Sequence, residues 1–198
     1  MLRVGFFIDG QFMAKISASY ADIFKRGSIF IPKFCETIEL CLQDFSQDRV
    51  VTSERHYFRG NMNLTDKNRQ QLINSFDKDK KTHDVLVSNL FDIHEYPLAF
   101  KNGEYTEKCI DTMMAVEIVE AASQGRLDIV VLISGDADIL PALLKCKRYS
   151  VVTVCLELDG NNHEKVARVI DSHSDFSIKM SKITDRANIF VKKPDYNG

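Results

Sequence analysis

The run Ile129-Val-Val-Leu-Ile133 constrains the fold of this chain more than any other stretch. Successive side chains of an extended strand point to opposite faces, so five apolar residues in a row must be covered on both sides. Leu2 to Ile8 and Val151 to Leu156 have the same character. Strands buried on both faces belong to parallel sheets packed between helices. The intervening segments change period to suit. Ile31 to about Phe45 carries an apolar stripe at Phe34, Ile38, Cys41, Leu42 and Phe45, and Pro32 suits its first turn. Thr106 to Ser123 reads as a helix stopped by Gly125, and Ile139 to Arg148 as another. Val50 to Phe58 alternates like a strand, and His83 to Phe91 reads as a third strand. The pattern predicts an α/β fold, a three-layer α/β/α sandwich with a mainly parallel central sheet.

Residues 1–180 are expected to form one domain, with a small insert at 92–105 and a C-terminal extension or tail at 181–198. The insert is irregular, and Lys101-Asn102-Gly103 is the turn of a short hairpin. Leu64 to Lys81 is a polar helix, Asn162 to Ile170 a short one, Phe176 to Met180 an edge strand, and the last dozen residues a loose tail.

Several functions are excluded or disfavoured. A net charge of −2 over 198 residues argues against a general polyanion-binding surface. No apolar run approaches the roughly 20 residues of a membrane span. Gly5-x4-Gly10 has half the spacing of a P-loop, but Gln11 stands where Lys is required, and no G-x-G-x-x-G occurs. The five cysteines lack any C-x-x-C and read as reduced, buried thiols of a cytoplasmic protein. The five histidines show no ligand spacing and read as surface or capping residues, with His94 set apart only by its place in the insert. Arg55, Arg59 and Lys67 with Tyr57 and Phe58 make either a basic, aromatic wall for single-stranded RNA or, more simply, a core Tyr flanked by solvated cations.

The chemistry lies where strands end. Ile133 is followed by the turn Ser134-Gly135 and then by Asp136 and Asp138, with Pro141 in the first turn of the next helix. Asp9-Gly10 ends the first strand, and Asp111 lies one turn into a helix. Taken singly, these are turn and capping acids. If the strands carrying Asp9 and Asp136 are neighbours, four carboxylates meet at one end of the sheet. Such a cluster is strongly repulsive and is relieved by a divalent cation, with oxygen ligands selecting Mg²⁺ or Mn²⁺ over zinc. A site of that kind supports phosphodiester hydrolysis.

Three segments resemble the NYN domain, the LabA-like branch of the PIN-like nuclease superfamily. Val4-Gly-Phe-Phe-Ile-Asp-Gly-Gln11 is similar to its first strand with an acidic tip. Glu107-Lys-Cys-Ile-Asp111 followed by Ala115-Val-Glu117 resembles its Lys-Gly-Val-Asp pattern with a second acid beyond. Leu132-Ile-Ser-Gly-Asp-Ala-Asp138 resembles its Ser-Gly-Asp-x-Asp hallmark. The resemblance implies a Mg²⁺- or Mn²⁺-dependent ribonuclease acting on single-stranded RNA. Asp9, Asp111, Asp136 and Asp138 would hold the ion directly or through water, Ser134 would orient them, and Lys108 and Gln11 would meet the substrate. Two positions depart from the pattern: Phe12 stands where many members carry Asn, and Glu117 replaces Asp. The alternative is an inactive module that binds RNA or a protein, and a homodimer is left open. A phosphatase or phosphoacceptor role for Asp9 ranks low, because Gly10-Gln11-Phe12 follows in place of the needed x-Asp-x-Thr.

Overall fold

The computed structural model describes residues 1–24, 27–61, 80–97, 99–101, 104–106, 109–159 and 168–191. Six strands form one wholly parallel sheet: β1 (Leu2–Asp9), β3 (Val50–Asn61), β4 (Asp92–Pro97), β7 (Ile129–Ile133), β8 (Val152–Glu157) and β9 (Phe176–Lys179), in spatial order β4-β3-β1-β7-β8-β9. Counted along the chain, that order is 3-2-1-4-5-6. Its direction of winding reverses between β1 and β7, the place where open α/β sheets carry their ligands. Two antiparallel pairs stand outside it: β2 (Ser28–Ile29) with β10 (Phe190–Val191), and β5 (Ala99–Lys101) with β6 (Glu104–Thr106).

The helices are α1 (Gly10–Phe24), α2 (Ile31–Gln43), α3 (residues 80–88), α4 (Ile110–Ser123), α5 (Leu140–Arg148), α6 (Arg168–His173) and α7 (Met180–Arg186). None of those described is long and apolar enough to cross a membrane. They cover the two faces of the sheet and give two cores. Phe6, Ile8, Val131 and Ile133 pack with Met13 and Ile16 of α1 and Phe34 and Ile38 of α2. Phe7, Phe58, Val130 and Leu132 pack with Ile110, Met114 and Ile118 of α4 and Leu143 of α5. The period of two along β1 therefore sends Gly5, Phe7 and Asp9 toward α4. Gly5 is tied to that packing, since a Cβ there would stand 2.5 Å from Leu127 Cδ1.

The structure corrects several expectations. The segment from His83 to Phe91 is no strand: residues 80–88 are helical and β4 starts at Asp92, so the first half of the expected insert is an edge strand of the main sheet. In a strand, Val85, Leu86 and Val87 would all be covered. In the helix only Leu86 is fully buried, and Val87 is exposed. The hairpin predicted around Lys101-Asn102-Gly103 is present as β5 and β6, with residues 102–103 outside the described ones. Most of the helices expected at 64–81 and 162–170 also lie outside them. Phe45 lies beyond the end of α2 and is exposed. Ile189 and Phe190, expected in a loose tail, are buried, and β10 pairs with β2.

Three helices close in the same way. Phe91 N–H donates to the Leu86 carbonyl and Leu90 N–H to Val87; Arg126 and Gly125 donate to Ala121 and Ala122; Val151 and Ser150 donate to Cys146 and Lys147. This double bond requires a left-handed residue, and Leu90, Gly125 and Ser150 have φ of 60, 64 and 59°. Only Gly125 adopts it without steric conflict. Leu90 is 81% exposed and so has little burial to lose. Leu90→Gly is expected to raise unfolding free energy by about 1 kcal/mol, with Leu90→Ala near neutral. Urea unfolding followed by circular dichroism tests this; a destabilised glycine variant would contradict the strain assignment.

A candidate metal centre at the strand tips

Asp9 ends β1 and Gly10 begins α1 with no intervening loop. Asp9 Oδ1 accepts from the N–H groups of Gln11 at 2.9 Å and Phe12 at 3.1 Å, which satisfies two free donors of the helix start. So tight a turn runs against β3. A Cβ on residue 10 would lie 2.9 Å from the Phe58 carbonyl oxygen and 2.8 Å from the Tyr57 hydroxyl, so Gly is required there.

The tip of β7 is adjacent, because Ile8 pairs with Ile133. Ser134 is buried, and its Oγ accepts from Asp136 N–H at 3.2 Å. Asp136 Oδ1 accepts in turn from Asp138 N–H at 2.9 Å and caps the 3₁₀ turn Ala137–Ile139, which runs into α5. Asp136 and Asp138 are exposed. The capping role and a ligand role therefore coexist: one oxygen of Asp9 and one of Asp136 fix the local backbone.

Asp111 enters from the third direction, in the first turn of α4, which packs over β1, β3 and β4. Burial pushes its carboxyl above the usual carboxylate range, and the charges of Asp136, Asp9 and Asp138 push it further. Repulsion from three acids drawn from two other strand tips is the mark of a shared pocket. Among the described residues no three His, Cys, Asp or Glu side chains are drawn in to the spacing of a direct metal cage. Asp9, Asp111, Asp136 and Asp138 offer oxygen ligands alone. That suits a hard, hydrated ion, since Mg²⁺ keeps several waters and takes one or two carboxylates, and it does not suit the closed cage of a structural zinc.

The turn into α4 explains a second feature. Cys109 has φ of 64°, the left-handed region, and its carbonyl accepts from Met113 N–H at 2.9 Å. Cys109 is exposed and not packed as expected; a Gly there, as in the resembling pattern, meets a backbone requirement. The other four thiols are buried, and burial raises Cys146 and Cys155 to about 11.

Asp9, Asp111, Asp136 and Asp138 are thus brought to one place, with Ser134 behind Asp136. Gln11 is exposed beside Asp9, joined to it through its backbone N–H. Lys108 and Lys67 lie outside the described residues. Glu117 does not press on Asp111; its Oε1 accepts from Arg126 Nη2 at 3.0 Å, which is how a charge is accommodated on the apolar stripe of α4. Phe12 is buried in the core formed with α2. Of the basic, aromatic wall, Tyr57 and Phe58 are core residues and Arg59 is paired with Glu95. His56 was expected at the surface, and it is buried, with Nδ1 3.0 Å from His94 Nε2. Composition and spacing gave no sign of this pair, because its members lie 38 residues apart on neighbouring strands.

The architecture defines the class of protein first: a doubly wound parallel sheet whose switch point carries acids where dinucleotide-binding folds carry glycines. The NYN domain family model matches residues 3–176, and the chain belongs to that family, which lies within the PIN-like nuclease superfamily. Its fold is similar to the crystal structure of a protein of unknown function from Vibrio parahaemolyticus RIMD 2210633, with a TM-score of 0.60, 11% identity, and 96% of this chain and 95% of that one covered. A UDP-N-acetylglucosamine 2-epimerase aligns with a TM-score of 0.44 and 12% identity over 93% of this chain and 44% of its own. The UDP-GlcNAc 2-epimerase of Methanocaldococcus jannaschii gives 0.41 and 12% over 93% and 41%. No curated protein matches the chain.

A carboxyl whose folded-state pKa is raised binds its proton more tightly in the native state than in the unfolded one, so stability falls as pH rises from the ordinary carboxylate range through the folded value. Asp111→Asn removes that penalty. The variant is expected to be more stable than the parent in metal-free buffer, with the gap opening between pH 4 and neutrality. Urea midpoints measured across that range test it; a gap independent of pH would show that the acids do not interact.

Proposed function

We propose that the chain is a Mg²⁺- or Mn²⁺-dependent endoribonuclease acting on single-stranded RNA. The observation that carries this reading is the convergence of Asp9, Asp111, Asp136 and Asp138, from three separate segments, at the switch point of the sheet. When bound, the divalent ion lowers the pKa of a coordinated water and neutralises charge building on the phosphoryl oxygens. Asp9 and Asp136 are the primary ligands in this reading, because their capping bonds already fix their backbones. Asp111 and Asp138 complete the oxygen set, directly or through water. Ser134 acts from behind, holding the Asp136 amide and with it the angle of the turn. Lys108, two residues before α4 in the sequence, and Gln11, at the start of α1, are the candidate contacts to substrate phosphate and sugar. The setting is cytoplasmic, where reduced thiols such as exposed Cys109 persist.

One observation favours a second reading, an inactive module that binds RNA or a protein. Phe12 is buried and offers no polar group where many relatives present Asn. The two readings separate in one assay. With Mn²⁺ the protein is expected to cleave single-stranded RNA internally. Asp136→Asn should lose more than about 100-fold, and Ser134→Ala, acting only through Asp136, about 10- to 100-fold. Binding without turnover in any divalent metal would select the inactive module. Unchanged cleavage by Asp136→Asn would remove the nuclease assignment.

A further inference from the structure

The face of the sheet that carries Asp9 holds a second chain of polar groups. His56 on β3 is only 3% exposed. Its ring stacks on Phe7, with centroids 4.8 Å apart and planes at 14°. Its Nε2 lies 3.1 Å from Glu54 Oε2 and its Nδ1 lies 3.0 Å from His94 Nε2. Glu54 is held from its other oxygen by Arg126, with Nη1 donating to Oε1 at 3.1 Å.

The proton positions follow from what each group can do. A carboxylate paired with an arginine only accepts. The geometry therefore places an N–H of His56 on Nε2, facing Glu54, and the tautomer with its one hydrogen there presents a lone pair at Nδ1. His94 Nε2 must then carry a hydrogen and donate to it. This leaves His94 Nδ1 as an acceptor, without a bond to any described residue. The charged groups around this ring are Glu117 of α4 and Asp92 of its own strand, with His56 beside it; burial first, and then His56, hold His94 below the ordinary imidazole range.

The position of His94 gives the acceptor a meaning. Asp9 pairs with Phe58, and Phe58 pairs with His94, so all three occupy one row across β1, β3 and β4 on one face, with Asp9 at the end of its strand. Two interstrand spacings, about 10 Å, separate the Cα atoms of Asp9 and His94. The His94 ring lies flat on Phe58, centroids 4.4 Å apart and planes at 11°, and is half-buried. An acceptor at this place meets nothing useful on a phosphate, which only accepts, and nothing on a deoxyribose. The ribose 2′-hydroxyl is the one donor of a nucleic-acid backbone.

We propose that His94 Nδ1 accepts a hydrogen bond from the 2′-hydroxyl of a nucleotide adjacent to the one held at the carboxylate cluster, so that the Glu54–His56–His94 chain selects RNA over DNA. This rests on the nuclease reading above and adds to it the group that recognises the sugar. Glu54 and His56 are positioning residues: they fix which nitrogen of His94 is bare.

The test is the affinity of single-stranded RNA and of DNA of the same sequence, by fluorescence anisotropy at pH 8 with Mg²⁺, in an Asp136→Asn background. His94→Phe keeps the stack on Phe58 and loses the acceptor; His94→Gln keeps a donor for His56 Nδ1 and still carries an acceptor oxygen, and serves as the control. His94→Phe is expected to lose about fivefold in preference for RNA, the weight of one neutral hydrogen bond, with DNA affinity unchanged, and His94→Gln to lose less. Long-range ¹H–¹⁵N spectra should show the Nε2–H tautomer at His94, with the Nδ1 resonance moved by RNA and not by DNA. An RNA-to-DNA ratio that is the same in parent and variants overturns the proposal while cleavage in the preceding assay leaves the nuclease standing. A change in base preference with the sugar preference intact also overturns it, since the donor would then be a base N–H. Failure to bind or cut either polymer removes both readings together.

Discussion

The pairing of β1 with β7 is the constraint on which the rest of the molecule depends. The two strands lie side by side at the centre of the sheet, in register from Val4↔Ile129 to Ile8↔Ile133. That ladder brings the first ten residues of the chain against a segment more than a hundred positions later. Its two ends are finished in opposite ways. At the start, Asp128 accepts from the Arg3 backbone N–H at 2.8 Å and from the guanidinium at 3.0 Å. Arg3 holds the Asp128 carboxyl below its usual range. At the far end Asp9 and Asp136 bring like charges together, and Asp111 is pushed the other way. A slip of one residue would turn Asp9 to the α1 and α2 face and bury Gly5 against the wrong core. The fit of Gly5 around Leu127 and of Gly10 against the Phe58 carbonyl opposes that slip at both ends of the strand.

What was legible in the sequence is what is local. A strand that runs straight into Asp-Gly or Ser-Gly-Asp-x-Asp declares its own cap, and the apolar runs declare a sheet covered on both faces. The convergence of Asp9 with Asp136 followed only on the condition that their strands are neighbours, and the order β1-β7 meets it. What escaped was set by partners distant in sequence. Glu117 is accommodated on the stripe of α4 by Arg126, which lies beyond the helix end. His56 and His94 meet only across β3 and β4. The segment from His83 to Phe91 failed for a different reason: its apolar cluster fits either period, and the helix is closed by a Leu in a conformation that ordinarily announces itself with Gly.

The distribution of cations completes the picture. Arg3 is committed to Asp128, Arg59 to Glu95, Arg126 to Glu54 and Glu117, and Arg186 to Asp44. Among the described residues none of Asp111, Asp136 and Asp138 forms an ion pair of this kind. Acids that lack a structural cation destabilise a fold, and they persist where function uses the charge. Had an arginine been placed beside Asp136 and Asp138 at the tip of β7, those carboxylates would be satisfied from within, and a divalent ion would have to displace a bidentate partner to bind. The same economy holds for the polar chain on β3. Arg126 fixes Glu54, Glu54 fixes His56, and His56 fixes one face of His94, so each group along the line is bound on its inner side.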